Sequence, residues 1–244
     1  MKQTVMILTR RRQLTDDIFE LRFEGDSSAV TRPGQFVNIL LPERFLRRPI
    51  SVCDWGEGTL TLICRVLGGG TAELCHSQTG CRFDMLTGLG NGYDTAASPP
   101  RPVLIGGGVG IPPLYGLAKA LLAEGKHPVA ALGFNSSADL FYVDEFRSLG
   151  CETLVATADG SAGVRGLVTD LAGTTECDYA FCCGPTPMLR AVFALPQLSG
   201  GQFSFEERMG CGFGACVGCT VQTAGGPRRV CADGPVFRKE EIVW

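Results

Sequence analysis

Histidine is nearly absent from this chain of 244 residues, which has only His76 and His127. The two lie far apart, and no Ser-His-Asp set, H-E-x-x-H spacing or paired carboxylates accompany them. Hydrolysis by acid–base catalysis therefore has little support. Positive charge is not in excess either, since Lys and Arg total 22 against 25 Asp and Glu, giving a net charge of −3. The chain lacks the basic footprint of a nucleic-acid-binding protein, and we expect no such partner.

Long apolar runs are also lacking. The most apolar window, residues 103–123, is broken by glycines near its start, by two prolines and by Lys119. It does not supply the ~20 uninterrupted apolar residues of a membrane span. The N-terminal residues have only a short apolar stretch before three arginines, and no cleavage site follows. We therefore expect a cytoplasmic protein with no membrane partner.

Cysteine and glycine, in contrast, are abundant, at 12 and 33 residues. In a reducing compartment, many cysteines indicate metal or redox chemistry before disulfides. The glycines follow no collagen-like period, so we expect them in turns and ligand loops. A hydrophobic fraction of 45% excludes a disordered chain.

The order of apolar segments predicts three domains. Residues 1–98 read as short strands broken by turns, which is typical of an antiparallel barrel. Residues 99–205 alternate strands with helices, which predicts a parallel sheet covered on both faces. Residues 206–244 form a small cysteine-rich domain. In the second domain we expect strands at 103–105, 129–134, 153–157, 179–183 and 202–205, and helices at 112–123, 139–149, 164–171 and 187–193.

The strongest motif is a set of four cysteines with x4, x2 and x11 between them. This spacing matches the plant-type arrangement that holds a [2Fe-2S] cluster. The glycines among these cysteines would let backbone N–H groups approach the cluster sulfurs. A zinc site or free thiols remain alternatives, although only one C-x2-C pair is present and zinc sites usually show two. The other eight cysteines form no second pattern and are expected to be small buried hydrophobes. The candidate metal ligands are Cys211, Cys216, Cys219 and Cys231.

A second motif, Gly106-Gly107-Gly108-Val109-Gly110, lies between a predicted strand and a predicted helix. Glycines there let the backbone approach a pyrophosphate, although a plain turn is the alternative. No Lys-Ser/Thr follows, so the loop is not a P-loop. The second strand ends at Asn135 with neither an acidic residue nor an arginine, which favours NAD over NADP. A third motif, 48–51 followed by a glycine loop at 68–71, is weak alone, and Arg48 is as easily a surface charge.

Residues 204–216, read as S-F-E-E-R-M-G-C-G-F-G-A-C, closely resemble the S-x-E-E-R-M-x-C-G-x-G-x-C signature of the electron transfer subunits of dihydroorotate dehydrogenase B. This family lies within the ferredoxin–NADP reductase superfamily. More of its pattern recurs at 48–51, 89–92, 159–161, 166–170 and 183–189, so the resemblance spans nearly the whole chain. Two positions depart from it, Asn135 where relatives often have an arginine and Cys64 where they often have an aromatic residue.

The resemblance implies a role for each matching position. It implies an FAD-binding barrel, an NAD-binding sheet domain and a [2Fe-2S] domain carrying the four cysteines above. The FAD site would comprise Arg48, Pro49, Ile50, Ser51, Ile63, Cys64, Arg65, Gly70 and Thr71. The NAD site would comprise Gly107, Gly108 and Gly110, with Cys183 and Gly184 near the nicotinamide.

The resemblance also implies a function and a partner. Electrons would pass between NAD(H) and an FMN-containing dihydroorotate dehydrogenase catalytic subunit, through FAD and the cluster, in pyrimidine biosynthesis. Two copies of each subunit would form a heterotetramer. The cofactors carry the chemistry, so no side chain need act as a catalytic acid or base. The alternatives are a related reductase subunit for another partner and a non-catalytic zinc-binding interaction module.

Overall fold

Six strands in the N-terminal part of the chain close into an antiparallel barrel. The computed structural model describes residues 1–42 and 44–244. The strands are β1 (Lys2–Gln13), β2 (Ile18–Glu24), β3 (Phe36–Ile39), β4 (Arg48–Gly56), β5 (Thr59–Arg65) and β6 (Arg82–Leu89), with helix α1 (Gly69–Cys75) between the last two. They neighbour one another in the order β1-β2-β5-β4-β3-β6. Alternate residues of β5, Leu60, Leu62 and Cys64, enter the barrel core because successive strand side chains point to opposite faces. The predicted antiparallel barrel is confirmed.

The second part of the chain is a sheet covered by helices, as predicted. Its strands are β7 (Val103–Gly107), β8 (Val129–Phe134), β9 (Glu152–Thr157), β10 (Val164–Arg165), β11 (Tyr179–Cys183) and β12 (Gly200–Ser204). Its helices are α2 (Pro112–Ala123), α3 (Val143–Ser148), α4 (Val168–Thr174) and α5 (Thr186–Phe193). These six strands run parallel in the order β10-β9-β8-β7-β11-β12. The chain thus changes direction across the sheet between β7 and β11, and ligands bind at such a point, beyond the carboxyl ends of the strands.

The C-terminal segment is joined to this sheet. It holds a hairpin of β13 (Thr220–Thr223) and β14 (Gly226–Arg229), then α6 (Val230–Asp233) and β15 (Val236–Arg238). The last strand pairs antiparallel with β12 and becomes the seventh strand of the sheet. The three domain boundaries stay a prediction, with the qualification that residues 236–238 belong to the sheet of the second predicted domain.

The expected helix over 164–171 is wrong at its start. Residues 164 and 165 pair with β9 as an edge strand, and the helix begins at Val168. Gly166 breaks the segment with a φ of +141°. The Asp170 carboxylate accepts a hydrogen bond from the N–H of Leu167, the N-cap residue, at 2.8 Å. This bond caps the helix at its start.

The barrel and the sheet domain pack directly against each other through β4 and α2. A Cβ at Gly116 of α2 would lie 2.8 Å from the Cys53 carbonyl oxygen of β4, so glycine allows the close approach. The Lys119 ammonium bridges both oxygens of Asp54 at 2.6 and 2.7 Å. Within the part of the chain that the structure describes, we find no helix with the length and apolar character of a membrane span.

Candidate functional site

A cavity of about 230 Å³ lies between the barrel and the C-terminal segment. Seven of the nine residues expected to contact FAD line it: Pro49, Ile50, Ser51, Ile63, Cys64, Arg65 and Thr71. The other two, Arg48 and Gly70, do not line it but are the chain neighbours of Pro49 and Thr71, which do. A Cβ at Gly70 would be 2.3 Å from the Arg48 Nε, so only glycine leaves room for this guanidinium. An arginine and a glycine loop are therefore in contact next to the lining residues, which suits the phosphates of a dinucleotide.

A second cavity of about 510 Å³ opens beyond the carboxyl ends of β7 and β11, where the strand order reverses. Gly107, Gly108, Gly110 and Gly184 all line it, as the sequence predicts for an NAD site. Glycine is needed for packing here, since a Cβ at Gly107 would lie 2.6 Å from the Met188 Sδ. At Gly110, a Cβ would lie 2.3 Å from the Cys183 carbonyl oxygen. The glycines thus let this loop pack closely against the end of β11 and helix α5, and the loop lines the cavity largely with glycine backbone, as pyrophosphate binding requires.

Cys183 itself is not brought into either cavity. Its side chain is buried in the core behind the glycine loop. Burial raises the pKa of its thiol to about 12, so it stays protonated. Its backbone packs behind Gly110, which lines the second cavity.

The end of the NAD cavity near β8 carries little charge. Asn135 and Asp139 line it, and the Asp139 carboxylate accepts hydrogen bonds from the Ser136 N–H and hydroxyl at 3.0 and 2.9 Å. Arg65 is the only arginine or lysine among the described residues that line this cavity. Its Nε is paired with Asp17 at 2.6 Å. No free cation therefore faces a 2′-phosphate in this described lining.

The two cavities meet at three shared residues, Arg65, Val109 and Glu206. Glu206 supplies the only carboxylate among the described residues that line both. Glu206 is exposed to the cavities. The surrounding protein nevertheless desolvates its carboxylate, which raises the pKa of the carboxyl. The sequence analysis missed this residue, although its place directly after β12, at the carboxyl edge of the sheet, was an available signal.

The four candidate ligand cysteines lie together as two pairs. The Cys216 N–H donates to the Cys211 Sγ, and the Cys231 N–H donates to the Cys219 Sγ, both at 3.4 Å. A cluster of two irons needs two thiolates at each iron. The pairing therefore fits a [2Fe-2S] cluster.

The surroundings of Cys211 favour its thiolate form. Burial disfavours its thiolate, but backbone N–H groups of Cys216, Phe213 and Ala215 stabilise it and lower the pKa to about 6. Glycines make this arrangement possible, since Gly212 and Gly214 have φ values of +77° and +90°. Metal binding requires the deprotonated thiol, so a low pKa favours it.

The cysteine loop is held against the wall of the first cavity. Asn38 of β3, almost completely buried, donates from its Nδ2 to the Cys211 carbonyl oxygen at 3.0 Å. Its strand neighbour Phe36 lines the cavity, as does Met209, two residues before Cys211. The first cavity, the second cavity and the cysteine loop are therefore contiguous.

This arrangement defines an NAD(P)-dependent flavin reductase of the ferredoxin–NADP reductase type with an attached iron–sulfur domain. Solved structures agree. The NADH-dependent reduced ferredoxin-NADP oxidoreductase, described for flavin-based electron bifurcation, is 33% identical with a TM-score of 0.89, covering 98% of this chain and 90% of that chain. A ferredoxin NADP+ reductase from Neisseria gonorrhoeae shares the fold, at 17% identity and a TM-score of 0.68, covering 79% of this chain and 89% of that one.

Sequence comparison narrows the class further. Residues 206–243 match the family model for the iron-sulfur cluster binding domain of dihydroorotate dehydrogenase B. The electron transfer subunit of dihydroorotate dehydrogenase B (NAD(+)) from Bacillus caldolyticus is 43% identical over 98% of this chain and 97% of its own length. The subunit of that name from Listeria innocua is 40% identical over 99% of each. The chain belongs to the family of dihydroorotate dehydrogenase B electron transfer subunits.

Proposed function

We propose that this chain carries electrons between NAD(H) and a dihydroorotate dehydrogenase catalytic subunit, using FAD and a [2Fe-2S] cluster. The observation that supports this most directly is the contiguity of the two cavities and the cysteine loop. A flavin in the first cavity would have the nicotinamide on one side, at Glu206, and the cluster on the other, at Met209 and Asn38. The order of the sites along the protein is then the order of the electron path.

Residues of the barrel would hold the FAD. Arg48, fitted against Gly70, would pair with the pyrophosphate, and 49–51 would border the flavin. Thr71 would act on the loop, because its Oγ1 accepts hydrogen bonds from the N–H groups of Leu67 and Gly68 at 2.8 and 3.1 Å. The glycines of the second cavity would hold the NAD, and the four paired cysteines would hold the two irons.

Glu206 would accept the proton that is released when NADH is oxidised. FAD held in the first cavity would supply hydride-accepting and one-electron chemistry, so oxidation of each NADH would yield NAD⁺, two electrons and one proton. Glu206 faces both cavities and makes no hydrogen bond or ion pair within the described part of the chain. Its raised pKa makes the carboxylate a better acceptor for that proton.

The catalytic partner would carry the FMN and the dihydroorotate site. Nothing among the described residues of this chain suggests either. We propose a complex of two electron transfer subunits and two catalytic subunits. Native mass spectrometry of the co-expressed pair tests this stoichiometry.

Reconstitution tests the function itself. The isolated, FAD-loaded chain should reduce ferricyanide with NADH and should not oxidise dihydroorotate. Addition of the catalytic subunit should bring NAD⁺-dependent oxidation of dihydroorotate. Oxidation of dihydroorotate by this chain alone would refute the proposal that the catalytic subunit holds the dihydroorotate site.

A related reductase for another partner is the second candidate, because a ferredoxin-linked oxidoreductase superposes over 98% of this chain. In that case ferredoxin, rather than the dihydroorotate dehydrogenase subunit, should receive the electrons. Comparing the two acceptors with the same NADH-reduced protein separates these functions.

A further inference from the structure

Tyr142 has an unusual backbone conformation. It is the one non-glycine residue with positive φ within the described residues, at φ 63° and ψ 4°. A bulky residue in this left-handed region costs free energy, and such residues persist only where their surroundings hold them. Tyr142 is buried at 6% exposure and is the N-cap residue that directly precedes helix α3.

A polar network from the barrel holds this residue. The Tyr142 hydroxyl donates to the Glu20 Oε2 of β2 at 2.7 Å. Arg12 of β1 donates to the same oxygen at 2.8 Å and to Glu145 of α3 at 2.9 Å. We call Arg12, Glu20, Tyr142 and Glu145 the interdomain network, since two members come from the barrel and two from the sheet domain.

The interdomain network adjoins the wall of the NAD cavity on both of its sides. Phe141, next to Tyr142, lines the cavity and packs edge-on against Phe134 with ring centroids 5.8 Å apart. On the barrel side, Ile18 lines the same cavity, two residues before Glu20 on β2. The hydrogen bond between Tyr142 and Glu20 therefore ties together the two supports of this wall.

We infer that Tyr142 and Glu20 are positioning residues for NAD(H), which hold Phe141 and Ile18 in the arrangement that the dinucleotide needs. This inference rests on the proposed function. Its physical basis is that a binding-competent wall populated only part of the time weakens the apparent affinity by that fraction. The effect falls on NADH binding and leaves FAD binding and turnover at saturation unchanged, because neither residue lines the first cavity.

The test uses the FAD-loaded chain with NADH and ferricyanide. Tyr142→Phe removes the hydroxyl and keeps the ring, and Glu20→Ala removes the acceptor. The matched control is Tyr115→Phe. The Tyr115 and Tyr142 ring centroids are 5.1 Å apart, and the Tyr115 hydroxyl takes no part in the interdomain network. We expect the KM for NADH to rise about five-fold in Tyr142→Phe and in Glu20→Ala. FAD content and kcat should stay within two-fold of the wild type in every variant.

The double variant sharpens the test. If one hydrogen bond carries the effect, Tyr142→Phe combined with Glu20→Ala should raise KM no further than either change alone. A KM unchanged in Tyr142→Phe, or equal in Tyr142→Phe and Tyr115→Phe, overturns the inference while leaving the proposed function intact. Should Glu20→Ala not fold, Tyr142→Phe against Tyr115→Phe still decides. A wild-type chain that cannot use NADH overturns both the inference and the proposed function.

Discussion

Asn38 of the barrel is bonded to the backbone of Cys211, the first of the paired cysteines, by an amide hydrogen bond of 3.0 Å. The contact is close, since a Cβ at Gly212 would lie 2.3 Å from the Asn38 Nδ2. A buried side chain of barrel strand β3 thus fixes the beginning of the cysteine loop.

Asn38→Ala should weaken the attachment of the cluster. The Cys211 carbonyl would lose a buried donor, which costs about 1–3 kcal/mol. We expect the visible absorbance of the cluster to bleach at a lower urea concentration than in the wild type, with FAD binding retained. Equal bleaching midpoints would show that this hydrogen bond does not stabilise the loop.

Gly70→Ala should reduce the affinity for FAD. The added Cβ would meet the Arg48 Nε at 2.3 Å and push the guanidinium out of place. Gly68→Ala is the matched control, because a Cβ there has no neighbour within 4 Å and its φ of −176° is ordinary extended backbone. We expect FAD affinity to fall about ten-fold or more, the loss of one charge-assisted contact, in Gly70→Ala only. Fluorescence titration of the apoprotein measures it, and equal affinities in the two variants would count against the role of Arg48.

Glu206→Gln should slow electron transfer and leave NADH affinity nearly unchanged. The amide keeps the shape of the side chain but cannot accept the proton, and loss of such a group costs about 10²-fold or more. Glu207→Gln provides a comparison, since Glu207 lines only the first cavity. Stopped-flow traces of cluster reduction measure the rate. In the wild type the rate should fall as pH drops below the raised pKa of Glu206, because the protonated carboxyl accepts nothing; Glu206→Gln should lose this dependence. A wild-type pH profile in Glu206→Gln would exclude the assigned role.

Cys219→Ser should separate the two halves of the path. Cys219 is buried against Cys231, and serine is a poor substitute for a thiolate ligand. The variant should keep NADH-to-ferricyanide activity and lose NADH-to-orotate transfer in the complex, with Cys81→Ser, an exposed thiol, as control. Gel filtration must first establish that the complex assembles. Wild-type transfer in an assembled complex without cluster would remove the cluster from the path.

NADH should be preferred to NADPH by at least about ten-fold in kcat/KM, since an unpaired 2′-phosphate loses a charge-assisted contact. The described cavity lining offers no free cation beside Asn135. Asn135→Arg should raise kcat/KM for NADPH. Equal values for the two dinucleotides in the wild type would contradict this prediction.

The sequence predicts much of the fold because the signals there are local. Helix α2 and strands β8 and β11 have the expected bounds, since each is a continuous apolar segment ended by glycine or a polar residue. Strand β4 of the barrel has no comparably clear local signal. β4 begins with Arg48-Pro49 and shows only a weak alternation of apolar and polar residues. Its pairing with β3 and β5 therefore decides its structure.

The site divides in the same way. Cysteine and glycine spacings are visible in the sequence because a cluster loop or a cofactor loop is a short continuous segment. Glu206 and the hydrogen bond from Tyr142 to Glu20 are not, since each depends on residues more than 100 positions apart coming together. Cys183 illustrates the converse, because it ends strand β11 as predicted while its side chain is buried in the core.

The pairing of β15 with β12 has a consequence for the engineering of such proteins. Both ends of the segment that carries the cysteines leave from neighbouring strands, which are about 5 Å apart in a sheet. The cysteine segment is thus fixed to the sheet at both of its ends rather than held on a single tether. A graft of this segment onto another reductase of this fold would therefore need to carry its own pairing strand, so that both ends are fixed at the margin of the sheet.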